Sequence, residues 1–316
     1  MAAIQFSLLT IQYRMHPLLR AFPSAMFYSG KLEDGVRASD RAPPAAFPSV
    51  MLKEAVGSEA SRGAGADGVE AADSGRCAAP PMKSPLAFLD VPDGREESGR
   101  NGVSKLNRRE AAIIATVAKR LIGVGIAPDL EWDSDSDAVS ESEHVVQPID
   151  VGIITPYAAQ VVEIRRALRA LGIPREVEVR TVDGFQGREK EIILFSCVRA
   201  NRAGRVGFLS DQRRLNVGLT RARRGLFICG SKRTLKSDPG WDAFLQHCEH
   251  VKCMLSSADL KAHGIDLRKP SRMAAASDEP SDGEQEADVQ SVSLPEMLDT
   301  HVLHDSMCQE ADAASS

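Results

Sequence analysis

What is missing from this 316-residue sequence narrows its class before anything present does. No stretch approaches the ~18 uninterrupted apolar residues of a membrane-spanning helix, so a soluble chain with no membrane partner is expected. No Lys or Arg precedes Arg14. That removes the basic start of a secretory signal, and the same stretch lacks the Arg-rich character of a transit peptide; a cytoplasmic address is expected, with the nucleus as a second. The six cysteines (Cys77, Cys197, Cys229, Cys248, Cys253, Cys308) form no CxxC pair. Reduced thiols are expected, with Cys197 and Cys229 behaving as small hydrophobes inside apolar runs. His247, Cys248, His250 and Cys253 crowd together, but a structural zinc site draws ligand pairs from two separated segments. The cluster therefore reads as a helix surface, and no metal is assigned to it. No period recurs, which argues against a solenoid. Gly30-Lys31 runs into Leu32 and no second Gly-Lys pair occurs, so the chain carries no Walker A loop to wrap phosphates and Mg²⁺.

The charge that is present is segregated. From Asp278 onward eleven acids meet no Lys or Arg, so within an overall −5 the first 277 residues carry a formal +6. Thirteen Lys or Arg against three acids (Glu189, Glu191, Asp211) fall within 188–236, a local +10. Such a density attracts polyanions; a solvated helix face is the plainer alternative. Three stretches read as irregular: 53–85, rich in Ala, Gly, Ser and Pro; 129–144, acidic and Ser-rich; and the acidic tail 272–316. None can assemble a packed face.

Between them, short apolar runs alternate with helical patterns. Strands are expected at Leu8–Gln12, Leu86–Val91, Val151–Thr155, Val177–Val182, Glu191–Val198 and Leu226–Cys229. Helices are expected at His16–Phe27, Asn107–Leu121, Ala158–Leu171, Asp211–Arg221 and Trp241–His250. Continuously apolar strands such as EIILFSCV and GLFICG imply burial on both faces, hence an α/β fold with a parallel sheet covered by helices. The division expected is one domain over 1–250 interrupted by the two insertions, an extension over 251–271, and a disordered acidic tail over 272–316. In parallel sheets ligands gather at the carboxyl ends of strands. TPY, TVDGFQG and GS follow strands here, which is where chemistry is expected.

Three clusters carry chemical content. In 178–201 a strand delivers the chain to Thr181, and Gly184 and Gly187 bracket Phe185 and Gln186; glycines beside an amide allow close backbone approach to a phosphate or sugar, although a bare GxxG is often only a turn. In 207–230 Asp211 can cap a helix with Leu215, Val217 and Leu219 inward, ending in Thr220, Arg221, Arg223 and Arg224. Guanidinium forks onto phosphate oxygens; for Arg223 and Arg224 a cationic helix terminus meeting the macrodipole is an equal reading. In 10–41 Tyr13 offers a flat ring and Arg14 a phosphate fork just ahead of Pro17, which fits the first turn of a helix.

QYRMHP (12–17), ITPY (154–157), TVDGFQGREKE (181–191), SCVRAN (196–201) and GFLSDQRRLNVGLTRAR (207–223), in this order, resemble the later motifs of superfamily 1 helicases of the up-frameshift, senataxin and mu-binding group. AFPSAMFYSGKLEDGVRASDR, LNRREA and FSCVRAN look most like the up-frameshift type, the helicases of nonsense-mediated mRNA decay. The resemblance implies a RecA-like fold and an ATP-dependent helicase. It implies adenine stacking by Tyr13, γ-phosphate contact by Arg14, nucleotide and ribose contacts by Gln186 and Glu189, and an arginine finger at Arg221. It implies RNA contacts at Thr155, Pro156, Tyr157, Thr181, Arg199 and Asn201. With no Walker A loop and no DExx box, since Asp90 in AFLDVPDG is a poor imitation of one, the expectation is a second RecA-like domain. Its ATP and Mg²⁺ would require the first RecA-like domain, and its partners would be that domain, single-stranded RNA and other decay factors. A senataxin- or mu-binding-type DNA or RNA–DNA helicase fragment, and a stand-alone RNA-binding module without ATPase activity, stay open as alternatives.

Overall fold

Along Lys190–Ser196 the side chains of Ile192 and Leu194 point into one apolar cluster and those of Ile193 and Phe195 into another, the alternation a strand imposes on its two faces. That strand is central in a computed structural model of the chain, which describes residues 9–50, 83–100, 102–122, 125–126, 147–173 and 177–265. The 129–144 run, the tail, Cys77, Cys308 and nearly all of 53–85 lie outside the described residues. The main sheet holds β1 (Leu86–Asp90), β2 (Val151–Thr155), β3 (Glu178–Thr181), β4 (Lys190–Ser196), β5 (Ala222–Gly230) and β6 (Met254–Leu255). The strands run parallel in the order β6-β1-β5-β4-β2-β3.

Helices cover both faces, as expected for a RecA-like domain. On one side lie α2 (Arg108–Ile122) and α3 (Ala158–Ala170), with α7 (Ser257–Ala262) at the edge. Ile113, Ile114, Val117 and Leu121 recur at helical spacing on the buried stripe of α2. On the other side pack α1 (Pro17–Phe27), α4 (Gln212–Leu219) and α6 (Pro239–His250), through Leu19, Phe22, Leu215, Leu219, Trp241 and Phe244; the short α5 (Lys232–Leu235) precedes α6. Caps explain where these helices start: Asp211 accepts from the N–H of Arg213 at 2.9 Å, and Asp238 from that of Trp241 at 3.0 Å with Pro239 behind it.

The expected strand at Leu8–Gln12 is different. Among the described residues of that segment only Ile11–Gln12 is a strand, and it pairs with Glu33–Asp34 as a separate two-strand unit rather than joining the sheet. Met254–Leu255, in the segment read as an extension, is instead an edge strand against β1; two residues are too short for periodicity to reveal. Cys248 and Cys253 are both fully buried in the core beneath α6, so the helix-surface reading fails for them. Cys197, Cys229, Cys248 and Cys253 are free thiols.

The tightest link in the sheet joins β3 to β4. Between Thr181 and Lys190 the chain crosses β2 without a full helix, using only the single turn Asp183–Phe185. Phe185 is buried where β2 has Gly152: a Cβ there would lie 2.6 Å from Phe185 Cζ and 2.7 Å from Lys190 Cγ. Gly152→Val should therefore destabilise the chain by about 1–3 kcal/mol through overpacking. Urea unfolding followed by circular dichroism measures this, and an unchanged midpoint would mean the crossover does not rest on β2.

Candidate functional site

The motif residues separate onto two opposite edges of the sheet. At the amino ends of β4 and β5 stand Arg14, Glu189, Arg221, Arg223 and Arg224. Glu189 lies between two arginines, accepting from Arg14 Nε on one oxygen and from Arg223 on the other, where Arg223 Nε is 3.0 Å away. Burial alone would raise this carboxyl, but the hydrogen bonds from Arg223 and Arg14 hold it below the usual carboxylate range. Glu191 continues the chain of pairs, accepting from Arg223 Nη1 at 3.2 Å and Arg224 Nε at 2.7 Å.

Arg221 differs from its neighbours. Its Nε donates to Val217 O at 3.0 Å, Nη1 to Arg188 O at 3.3 Å and Nη2 to Thr220 Oγ1 at 3.0 Å, all neutral oxygens. Among the described residues it makes no ion pair. Burial lowers its pKa and the neighbouring charge of Arg14 adds to the effect. A guanidinium fixed by neutral acceptors next to a second cation is a place where an added anion is stabilised.

The QYRMHP turn is held by a residue that motif reading passed over. Gln12 Oε1 accepts from the N–H groups of Arg14 (3.0 Å) and Met15 (2.7 Å), while its Nε2 donates to Met15 O and Asp34, both at 2.8 Å. Arg41 donates to the carbonyls of Arg14 (3.1 Å) and Tyr13 (3.3 Å). Tyr13 is 65% exposed, and its ring lies against Gly35 so closely that a Cβ there would overlap it. His16 is buried; its Nδ1 accepts from Leu18 N–H at 3.1 Å to cap α1, and its own N–H donates to Arg223 O at 2.8 Å.

The expectation that Arg223 and Arg224 close a helix is corrected. The helix ends at Leu219, where the Thr220 hydroxyl bonds back to Asn216 O at 2.8 Å, and pairing of Ala222 with Lys190 has already begun the strand. Arg223 and Arg224 are strand residues answered by glutamates, not by a macrodipole. The carboxyl ends, where chemistry was expected, receive only part of the motif residues, since Arg14, Glu189 and Arg221 collect at the amino edge.

At the carboxyl edge, Thr155 of β2 and Thr181 of β3 stand side by side in register. Thr155 Oγ1 is buried and finds no hydrogen-bond partner among the described residues, while Thr181 Oγ1 accepts from Gly184 N–H at 3.2 Å. Gln186 is exposed beyond the turn. Arg199 and Asn201 converge on Glu96, another residue with no motif signal: Glu96 Oε2 accepts from Arg199 Nε (2.9 Å), Ala200 N–H (3.0 Å) and Asn201 Nδ2 (2.9 Å). Burial raises the Glu96 carboxyl, but these three bonds prevail and lower it. Arg199 Nη1 donates to Tyr157 Oη at 3.1 Å, and Tyr157 is buried.

A family model for the AAA domain matches residues 1–233. The chain is 34% identical to the Regulator of nonsense transcripts 1 homolog of Drosophila melanogaster over 272 residues, 84% of this chain and 19% of that protein. It is 34% identical to the ATP-dependent helicase NAM7 of Saccharomyces cerevisiae over 270 residues, 83% of this chain and 23% of that protein. With the Probable helicase MAGATAMA 3 of Arabidopsis thaliana it shares 35% over 253 residues, 78% of this chain and 25% of that protein. The chain belongs to the superfamily 1 helicases of the up-frameshift type. It spans about a fifth of the length of the first of these relatives.

In this helicase domain a third missed residue explains how SCVRAN is held. Glu110 of α2 is fully buried; it accepts from Ser196 Oγ and Val198 N–H, each at 2.7 Å, and from Asn107 Nδ2 at 3.0 Å. Asn107 also donates to Val198 O at 3.1 Å. Val198 has φ +70°, a strained conformation for a β-branched residue, and these two side chains fasten it on both sides. Burial pushes the Glu110 pKa up to about 7. Only the LNRREA string pointed here, and nothing in it marked the Glu as internal.

His16 gives the domain a defined pH response. Burial takes its pKa down to about 4 against the opposing attraction of Asp34. Between pH 6.5 and 4 the unfolded His16 binds a proton that the folded one refuses, so folding stability falls as pH falls through this window, by up to roughly 3 kcal/mol. In denaturant titrations across pH 4–7 the wild-type chain should lose more stability on acidification than His16→Asn, whose side chain can still cap. Parallel curves for the two proteins would refute the assignment.

Proposed function

We propose that this chain is the second RecA-like half of an ATP-driven RNA helicase motor. Its amino edge closes an ATP site and its carboxyl edge carries single-stranded RNA. The observation supporting this most strongly is Arg221, a half-buried guanidinium held by neutral oxygens beside Arg14. Cations so placed stabilise charge that develops on a transferring phosphoryl group, and fixed in advance they need no reorganisation. In this reading Arg221 is the arginine finger, Arg14 meets the γ-phosphate once it leaves Glu189, Tyr13 stacks on the adenine with its exposed face, and Gln186 and Glu189 meet the nucleotide and its ribose. In this reading the P-loop and Mg²⁺ belong to a first RecA-like domain, which accords with the absence of a Gly-Lys-Ser/Thr run from the 316 residues. When bound there, Mg²⁺ would supply charge neutralisation for the triphosphate, while Arg221 and Arg14 would meet the same charge from this chain's side.

RNA, on this proposal, runs past Thr155, Pro156, Tyr157 and Thr181, with Arg199 and Asn201 shaping the adjoining loop. Two of the relatives are named for nonsense transcripts and for ATP-dependent helicase activity respectively. For this chain we infer the same setting: nonsense-mediated mRNA decay, its protein factors as partners, and the cytoplasm as the place of action.

The test is to join the chain to an ATP-binding domain from the yeast relative and compare turnover. The chain alone should give no ATP hydrolysis above background. In the joined protein Arg221→Ala should lower kcat by about 10³-fold or more while RNA affinity is little changed. Tyr13→Ala should act on KM for ATP. Equal losses of RNA binding and turnover from Arg221→Ala would make it a backbone contact and overturn its role.

A further inference from the structure

Among the described residues one phenylalanine is strongly exposed: Phe208, at 52%. It lies in the single turn Gly207–Ser210 that leads into α4. Its position is built from behind. Glu96 fixes Arg199, Arg199 donates to Tyr157 Oη at 3.1 Å, and the Tyr157 ring meets the Phe208 ring at 5.6 Å between centroids, tilted 55°. Gly207, with φ +59°, admits this arrangement. A Cβ there would overlap Arg199 Nη1 and sit 2.7 Å from Tyr157 Oη. The Arg214 guanidinium lies 5.4 Å from the Phe208 ring centre and is itself forked onto Asp183 by two bonds of 3.0 Å. Beneath the ring is only a small apolar pocket, where Pro156 and Val182, the residues that follow Thr155 and Thr181, meet the buried Leu209, Leu215 and Trp241. Arg202, Arg205 and Arg213 are exposed in the same stretch of chain.

An exposed aromatic ring with a fixed support, next to the chain that follows Thr155 and Thr181 and with arginines in its own segment, has the elements of a single-strand platform: a π-face for any base and guanidinium groups for the backbone. We propose that Phe208 is a base-stacking contact for single-stranded RNA at the carboxyl edge, with Arg202, Arg205 and Arg213 meeting its phosphates. Tyr157 and Arg199 then act on RNA as positioning residues, through the ring they hold. This rests on the RNA reading of that edge given above and adds the residue that takes the base.

The experiment titrates labelled oligo(U) with the full 316-residue chain across a salt series, using fluorescence anisotropy. Phe208→Ala should weaken binding by about 5- to 100-fold, the range of one lost stack. The slope of affinity against salt should stay unchanged, because no charge is removed. Phe208→Trp should bind like wild type. An abasic oligomer should bind Phe208→Ala and wild type equally, which separates loss of stacking from a folding defect. Arg202→Ala with Arg205→Ala should instead make the salt dependence shallower. If Phe208→Ala binds oligo(U) as wild type does while Thr181→Ala binds it more weakly, the platform is refuted and the RNA reading stands; that outcome would assign the exposed ring to a protein partner. Equal loss on normal and abasic oligomers would also refute stacking. Absence of oligo(U) binding by the wild-type chain at low salt would overturn both.

Discussion

Eight residues, Val182 to Glu189, carry the backbone from the carboxyl edge of the sheet to its amino edge. The rest of the site depends on this short crossing. One end begins at Thr181, beside Thr155 in register; the other ends on the carboxylate that receives Arg14 and Arg223. A conventional helical crossover would have put many residues and a flexible joint between these points. Here Phe185 buried over Gly152 fixes the middle, so the two ends are mechanically close while facing opposite edges. One short strap thus joins the edge that carries Thr155 and Thr181 to the edge that carries Glu189 and Arg221, and on the proposed function it would couple an RNA-facing edge to a nucleotide-facing one.

Charge at the amino edge is arranged around that strap. Glu189 and Glu191 partner Arg14, Arg223 and Arg224 and leave Arg221 with neutral acceptors. Part-exposed ion pairs of this kind contribute little to stability, and their value lies in orientation. They set several guanidinium groups in a fixed pattern at the surface, while Arg221 makes no ion pair of its own among the described residues and feels Glu189 only at longer range. The carboxyl edge uses the same device differently: Glu96 and Glu110 are turned inward and hold the strained Val198 to Asn201 segment from beneath.

Much of this was legible in the sequence. The apolar runs located five of the six sheet strands, and Asp211 and Pro17 located helix starts, because burial on two faces and capping leave local signals. The motif strings located the family. Which edge each motif residue occupies was not legible, because that follows from a crossing whose direction depends on Phe185 meeting Gly152, a contact between residues 33 positions apart that no local pattern encodes. The supporting roles of Gln12, Glu96 and Glu110 were not legible for a similar reason, although QYRMHP and LNRREA contain the first and the last. A glutamate in a charged stretch reads as surface until the fold closes over it, and only then do Ser196, Val198 and Arg199 become its partners.

The most direct test of the two-edge account is hydrogen–deuterium exchange on the chain joined to an ATP-binding domain, with oligo(U) and a non-hydrolysable ATP analogue added separately. Oligo(U) should protect the backbone at 155–157, 181–184 and 199–208, and the analogue should protect 12–14, 186–191 and 220–223. Protection of the same edge by both ligands would contradict it.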